Sequence, residues 1–288
     1  MEHFDILIVG AGAAGIGAAK AAWRAGCRSI CLADRKNAMG GVLLQCAHYG
    51  FGKDLNGPEY TRMLLEDFPE GVTFLPKVTV LEIYADKTVL LAGPEVGEKQ
   101  ISFDQLILAT GCREIPMGAL NIAGTRPAGV YTAGQMQEML NLYGVVPEGP
   151  VVILGSGDLG LVMAKHLAER GIPVSLVEQR DTCGGMARNQ RCLKEYPIDL
   201  FCGTTIEEVC GYPKLEGVVL ADGRYLPCRT LLIAAGLRPE RELIFGMENQ
   251  PWLHVCGNCS KVHHMVEAVV NEGKQAGRAA WENIRGTL

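Results

Sequence analysis

Two short runs in this sequence have the residue types to hold a dinucleotide. Gly10-x-Gly12-x-x-Gly15 and Gly155-x-Gly157-x-x-Gly160 each close an apolar run and open a stretch rich in alanine or leucine. In each, the first glycine allows a tight turn, the second lets a pyrophosphate approach the backbone, and the third lets helix and strand pack closely. The helix start that follows offers its unpaired N–H groups to the phosphates. An acid stands where a ribose needs one: Asp34 lies 22 residues beyond Gly12 and Glu178 lies 21 beyond Gly157, each at the end of another apolar run.

The thiols and imidazoles could do different chemistry. The stretch GGVLLQCAHYGFG, residues 40 to 52, puts Cys46 and His48 behind a double glycine, a pairing able to touch a substrate or move a proton. Cys256-Gly257-Asn258-Cys259 has CxxC spacing, and His263 and His264 follow it. That spacing suits a redox dithiol, and with the two histidines it has something of a zinc ligand set.

The elements that must position these residues occur twice. DILIVGAGAAGIGAAKAAWRAGCRSICLAD and PVVILGSGDLGLVMAKHLAERGIPVSLVEQ start about 145 residues apart, and each reads as strand, glycine turn, helix closed by Gly26 or Gly171, and second strand. Each is followed by a strand with a small-residue exit, at Ala109-Thr110-Gly111 and at Ala235-Gly236. The last segment, from WLHVCGNC onward, reads as strand, turn and long amphipathic helix. The expected fold is therefore α/β, with two Rossmann-like three-layer dinucleotide-binding domains. The first is discontinuous, 1–113 plus 241–288, and the second, 114–240, is inserted in it.

Composition narrows the classes. A chain of 288 residues suffices for two such domains and not for three. With 48% hydrophobic and 20% charged residues and no run of 18 apolar residues, no membrane span is expected. A formal net charge of -5 gives no footprint for nucleic acid. The first strand begins three residues after Met1, which leaves no room for an export signal and implies a cytoplasmic protein. The 11 cysteines are scattered through apolar strands and read mostly as buried thiols.

On these residues the chain resembles, over nearly its whole length, the two-dinucleotide-domain flavoproteins of the pyridine nucleotide-disulfide oxidoreductase superfamily. The resemblance implies FAD at the first motif, held by Gly10, Gly12, Ala13, Ala14, Gly15, Asp34, Arg35, Gly40, Gly41, Val78, Ala109, Thr110 and Gly111, with Gly257, Asn258 and Met265 returning to it. It implies NAD(H) at the second, held by Gly155, Gly157, Asp158, Leu159, Gly160, Glu178, Gln179, Ala235 and Gly236. By the same resemblance the last helix, starting near 262–265, aims its positive end at the flavin. Many such proteins carry a C-terminal dimerisation domain, and here no residues remain to form one.

GGVLLQCAHYGFG with LNGPEY, and VCGNCSKVHHMVEAVVNEGKQAGRAA, are similar to small FAD-dependent subunits that accompany glycerol-3-phosphate-dehydrogenase-like flavoproteins and a small cysteine-rich protein. GVYTAGQMQEMLN is more distantly similar to FAD/NAD subunits of opine oxidase, hydrogen cyanide synthase and the sarcosine oxidase alpha chain. The implied partners are two, a small cysteine-rich electron-transfer subunit with its dehydrogenase-like flavoprotein subunit.

The redox disulfide of the superfamily has no local place here, unless the fold brings a distant thiol to Cys46. Where a glutathione-reductase-like member carries its two cysteines, this chain has Leu43 and His48. A thioredoxin-reductase-like CxxC would fall in the second domain, where Cys183, Cys192, Cys202, Cys210 and Cys228 never take that spacing. The CxxC at 256–259 falls where the resembling flavoproteins carry Gly-Asp against the ribityl chain, so Asn258 stands for the acid and neither a redox pair nor a metal is expected. Glu178 favours NAD(H), Arg180 softens that preference, and Val162 replaces the glutamate that many members set against the nicotinamide. The nicotinamide is then held differently, or the second site is vestigial.

Three readings remain. The first is an FAD-dependent oxidoreductase passing hydride or electrons between NAD(H) and a partner redox subunit or small acceptor. The second is a stand-alone NADH:acceptor diaphorase, and the third a structural flavin- or nucleotide-binding subunit of a dehydrogenase complex.

Overall fold

The strand Glu2–Val9 sorts its side chains by parity. Ile6 and Ile8 join a core with Ala14, Ala18 and Ala22 of the helix Ala13–Ala25, while Leu7 and Val9 join another with Val89, Leu91 and Phe103. A strand buried on both faces needs apolar residues at every position, and ILIV supplies them. In the computed structural model, which describes residues 1–287, this strand lies inside a seven-stranded sheet. The parallel part runs Thr73–Leu75, Ile30–Ala33, Glu2–Val9, Gly97–Leu108, and Leu253–Val255 also pairs with Gly97–Leu108. Thr88–Gly93 and Thr79–Ile83 extend it as an antiparallel meander.

Two helices cover the Ile6 and Ile8 face. Ala13–Ala25 packs on the terminal helix Val266–Thr287 through backbone. A side chain at Gly273 would run into the Ala14 carbonyl oxygen, and one at Gly277 into that of Ala18. Ala14 and Ala18 lie one turn apart on one helix and Gly273 and Gly277 one turn apart on the other, so two small-residue stripes form the seam.

The second unit repeats the scheme. Its parallel sheet runs Val130–Thr132, Thr230–Ile233, Val151–Leu154, Val174–Glu178, Ile198–Cys202. Val151 and Ile153 pack with residues of the helices Ala133–Tyr143 and Asp158–Ala168, while Val152 and Leu154 pack with Val209, Val218 and Leu220 of a small four-stranded sheet. Helix, parallel sheet and antiparallel sheet make three layers.

The compact units are Met1–Arg113 with Arg238 onward, and Glu114–Leu237. The second unit thus ends at Leu237, against an expected 240. Arg238, Pro239 and Glu240 group with the first unit, where the Glu240 N–H donates to the Gly111 carbonyl at 3.0 Å and its carboxylate meets Arg113 at 2.7 Å.

Gly277→Val would force methyl groups onto the Ala18 carbonyl. It is expected to cost the first unit about 3 kcal/mol, read as a lower urea midpoint. Gly286→Ala, where a side chain meets nothing within 4 Å, should hold or raise that midpoint.

Candidate functional site

The start of the first helix is ringed by backbone. Gly10 (φ +106) lies against the Ala109 carbonyl, Gly15 against that of Gly10, and a side chain at Gly257 would come within 2.7 Å of the Ala14 Cβ. Gly41 (φ +58) sits with its Cβ direction 3.0 Å from the Gly12 Cα. Gly12 itself faces open space, with nothing within 4 Å of a side chain built there. The helix it opens has no side-chain cap and no acid in its first turn. Unpaired N–H groups and a positive dipole end beside a cradle that a Cβ would fill are what a pyrophosphate needs, so the residues present fit the FAD phosphates.

Asp34 stands beside that turn. Its Oδ2 accepts from the Ala11 N–H at 2.6 Å and its Oδ1 from the Lys36 N–H at 2.7 Å, while the Val78 N–H donates to the Asp34 carbonyl at 2.9 Å. Gly10, Asp34, Arg35, Val78 and Thr110 line one cleft of about 600 Å³. Its other wall comes from Glu240, Glu242, Leu243, Phe245 and Met247, which the sequence reading missed. RELIFGM mixes acidic and apolar residues without a period and so gave no signal in the sequence; in the structure its Phe245 is 87% exposed.

The GG loop seats on the same turn, with the Gly40 N–H donating to the Ala11 carbonyl at 2.8 Å. A short 3₁₀ turn, Gly41–Gln45, then buries Cys46 to 8% exposure. Its thiol donates to the Val42 carbonyl at 3.3 Å, and burial pushes it up to about 12. A thiol so protonated at neutral pH is no nucleophile. His48 is half-buried, its ring 5.1 Å from that of Phe51, which stands 6.2 Å from Tyr60. Neither Cys46 nor His48 lines the cleft.

The CxxC is split between two cores. Cys256 packs with Ile6 and Ile8 and Cys259 with Leu7 and Val9. Burial raises the Cys256 thiol, and the Cys259 thiol donates to the Leu108 carbonyl at 3.0 Å. None of the 11 cysteines, all among the described residues, is bridged. Among the described residues one group of His, Cys, Asp and Glu atoms is close enough to share an ion, His3 with Asp5 and Asp104, and it takes in none of residues 256–264.

The return to the first helix is organised by Glu272, which the sequence reading also missed. Its Oε2 accepts from the Gly257 N–H at 2.8 Å, and its Oε1 lies 2.8 Å from His263 Nε2. Asn258 accepts from the His263 N–H at 3.0 Å through Oδ1, and its amide nitrogen lies 3.7 Å from the Cys112 sulfur. The terminal helix begins at Val266, one residue past the expected range, with Met265 45% exposed before it.

The second unit rebuilds the same turn. Gly155 (φ +105) lies against the Ala234 carbonyl and Gly160 against that of Gly155. Glu178, 5% exposed, accepts at Oε2 from the Ser156 N–H (2.9 Å) and hydroxyl (2.6 Å), and at Oε1 from the Arg180 N–H and Nε–H (each 3.1 Å). Burial pushes its pKa up, but these four donors outweigh it and hold the carboxyl at about 2. Ala235 and Gly236 (φ +120) close the strand, Leu159 packs into the helix core, and Gln179 is exposed. The Asp158 carboxylate accepts from the Met186 N–H at 2.7 Å and from Asn189 Nδ2 at 2.6 Å.

A family model described as pyridine nucleotide-disulphide oxidoreductase matches residues 4–253. The chain belongs to that family. An opine oxidase subunit of Agrobacterium tumefaciens (strain Ach5) is 31% identical over 183 residues, 60% of this chain and 36% of its own length. The alpha chain of sarcosine oxidase from Corynebacterium sp. (strain P-1) is 32% identical over 204 residues, 64% of this chain and 20% of its own. This family member therefore spans well under half the length of those two relatives. The crystal structure of Lactococcus lactis thioredoxin reductase superposes with a TM-score of 0.77 at 20% identity, covering 98% of this chain and 99% of that one, which shows the fold.

Gly12 has φ -76, open to any residue, so Gly12→Val is expected to fold as wild type and to lose FAD, read as flavin absorbance per mole of purified chain. For Glu178 the folded pKa lies below the usual 4.5, so its stabilisation is present above that value and lost as pH falls toward about 2. Glu178→Gln is expected to cost on the order of 3 kcal/mol at pH 7, the gap from wild type in urea unfolding closing between about pH 4.5 and 2.

Proposed function

We propose that this chain is the FAD-dependent, NAD(H)-linked component of an oxidoreductase that exchanges hydride or electrons with a partner redox subunit or small acceptor, without a redox disulfide. The observation that carries the reading is the uncapped, acid-free helix start at Gly12 beside Asp34, in a unit whose cysteines form no disulfide. FAD, when bound, supplies the hydride and electron chemistry of its isoalloxazine ring.

The chain's own residues do the rest. The Gly12–Gly15 helix start would neutralise the pyrophosphate, Asp34 would take the ribose hydroxyls, and Arg35 and Val78 would flank the adenosine in the cleft. Gly257, Asn258 and Met265 would return to the ribityl chain and ring, with Glu272 fixing the turn that carries them. The Cys46 thiol stays protonated and takes no electron pair, which leaves His48 as the proton carrier of that loop. In the second unit Gly157 and Glu178 would take NAD(H).

A partner is supported by the relatives, two of which are subunits by name. The partners of this reading are a dehydrogenase-like flavoprotein subunit together with a small cysteine-rich one. No helix among the described residues is long and apolar enough to cross a membrane. The reading carries a cytoplasmic setting, where unpaired thiols stay reduced.

The purified protein is expected to be yellow and to bleach when NADH is added without oxygen, with Cys46→Ser and Cys256→Ser bleaching within about twofold of wild type. Colourless protein that takes up no FAD would end the reading. A tenfold loss in either serine variant would return sulfur to the path.

A further inference from the structure

The cleft beside Asp34 has apolar walls that the acid, the glycines and the helix start do not account for. Phe245 is 87% exposed and Leu81 49% exposed, and both line that cleft. One large apolar side chain left in water is ordinary, but two lining the same cleft mark a surface that awaits an apolar ligand group.

The chain holds Phe245 in that position from both sides. Ile244 is 1% exposed in a core with Phe103 and Trp252, and Leu243 and Met247 pack against the same core. The Phe245 N–H donates to the Glu242 carbonyl at 3.3 Å, and the Met247 N–H to the Ile244 carbonyl at 2.8 Å. Phe245 is thus the one apolar side chain of Leu243–Met247 that the core does not take. Leu81 is placed in the same way, on the strand Thr79–Ile83 with Val80 and Ile83 buried on either side of it. Glu240 and Glu242, which line the cleft with Phe245, are both paired with Arg113. The phenyl ring is therefore the group of that wall left to meet a ligand.

The FAD reading puts the pyrophosphate on the helix start and the adenosine ribose on Asp34, which leaves the rest of this cleft to the purine. A purine offers flat π-faces, and an aromatic side chain stacks on them whatever the hydrogen-bond pattern of the base. We propose that Phe245 closes over the adenine of FAD, with Leu81 beside it, and that this contact selects FAD over FMN, which has no adenine. The proposal rests on the first unit taking FAD, and it names the residue that sets the choice between the two flavins.

The full chain freed of flavin, titrated with FAD, FMN and ADP as wild type, Phe245→Ala and Phe245→Tyr, tests it. Phe245→Ala is expected to weaken FAD and ADP by a common factor, roughly tenfold, and to leave FMN within about twofold, while Phe245→Tyr keeps all three within about threefold of wild type. Because the side chain is exposed, the urea midpoint of the flavin-free alanine variant should match wild type. No loss of FAD and ADP in the alanine variant, an equal loss of FMN, or a tyrosine variant as weak as the alanine one overturns the adenine contact and leaves the flavin site standing. A wild-type chain that takes up neither FAD nor FMN ends the FAD reading, and the role of Phe245 ends with it.

Discussion

Neighbouring backbone comes to within contact of the start of the helix Ala13–Ala25 and of the turn before it, and the first unit depends on that approach. The strand exit at Ala109 meets Gly10 and the GG loop at Gly41 meets Gly12 in the turn before the helix, while the turn at Gly257 and the terminal helix at Gly273 and Gly277 close on Ala14 and Ala18. Contact at this range admits only glycine or alanine on the facing positions. It also leaves the first N–H groups without side-chain partners, so the close packing and the anion cradle have one cause.

An internal repeat of this kind can diverge with few changes. The two units share strand order around the turn, the acid bonded to the N–H of the residue between the first two glycines, and the double glycine that follows. They part at the first helical residue, where alanine leaves the dipole uncompensated and aspartate both opposes an anion and recruits a loop. The thiols are settled by burial in another way: Cys27, Cys31, Cys46 and Cys228 are all pushed up to about 12.

The repeat, its order of strands and helices and the pairing of acids with glycine turns were legible in the residues, because glycine at a crowded backbone position and apolar runs in a doubly covered sheet leave local marks. Chemistry guessed from residue type alone was less legible. Cys46, Cys256 and Cys259 have reactive side chains, but their burial depends on strands distant in sequence, which no spacing encodes. Glu272 sits in a helix where an acid is unremarkable, and its role appears only when Gly257 comes beside it. The 184–189 segment was equally hidden, since two of its bonds to the turn use its backbone N–H groups, which every residue but proline has. At the chain's return to the first unit Arg113 pairs with Glu240 and Glu242, contacts across more than a hundred residues of intervening chain that no local pattern encodes.

Leu253–Val255 and the helix Val266–Thr287 complete the first unit from the far side of the insertion. On a ribosome this inverts the usual sequence of events, in which the N-terminal domain folds first. The inserted unit has all its strands once Leu237 has emerged, whereas the nascent N-terminal sheet must wait with its alanine face bare until the last helix leaves the tunnel. The glycine turn at the amino end is thus the later of the two to mature.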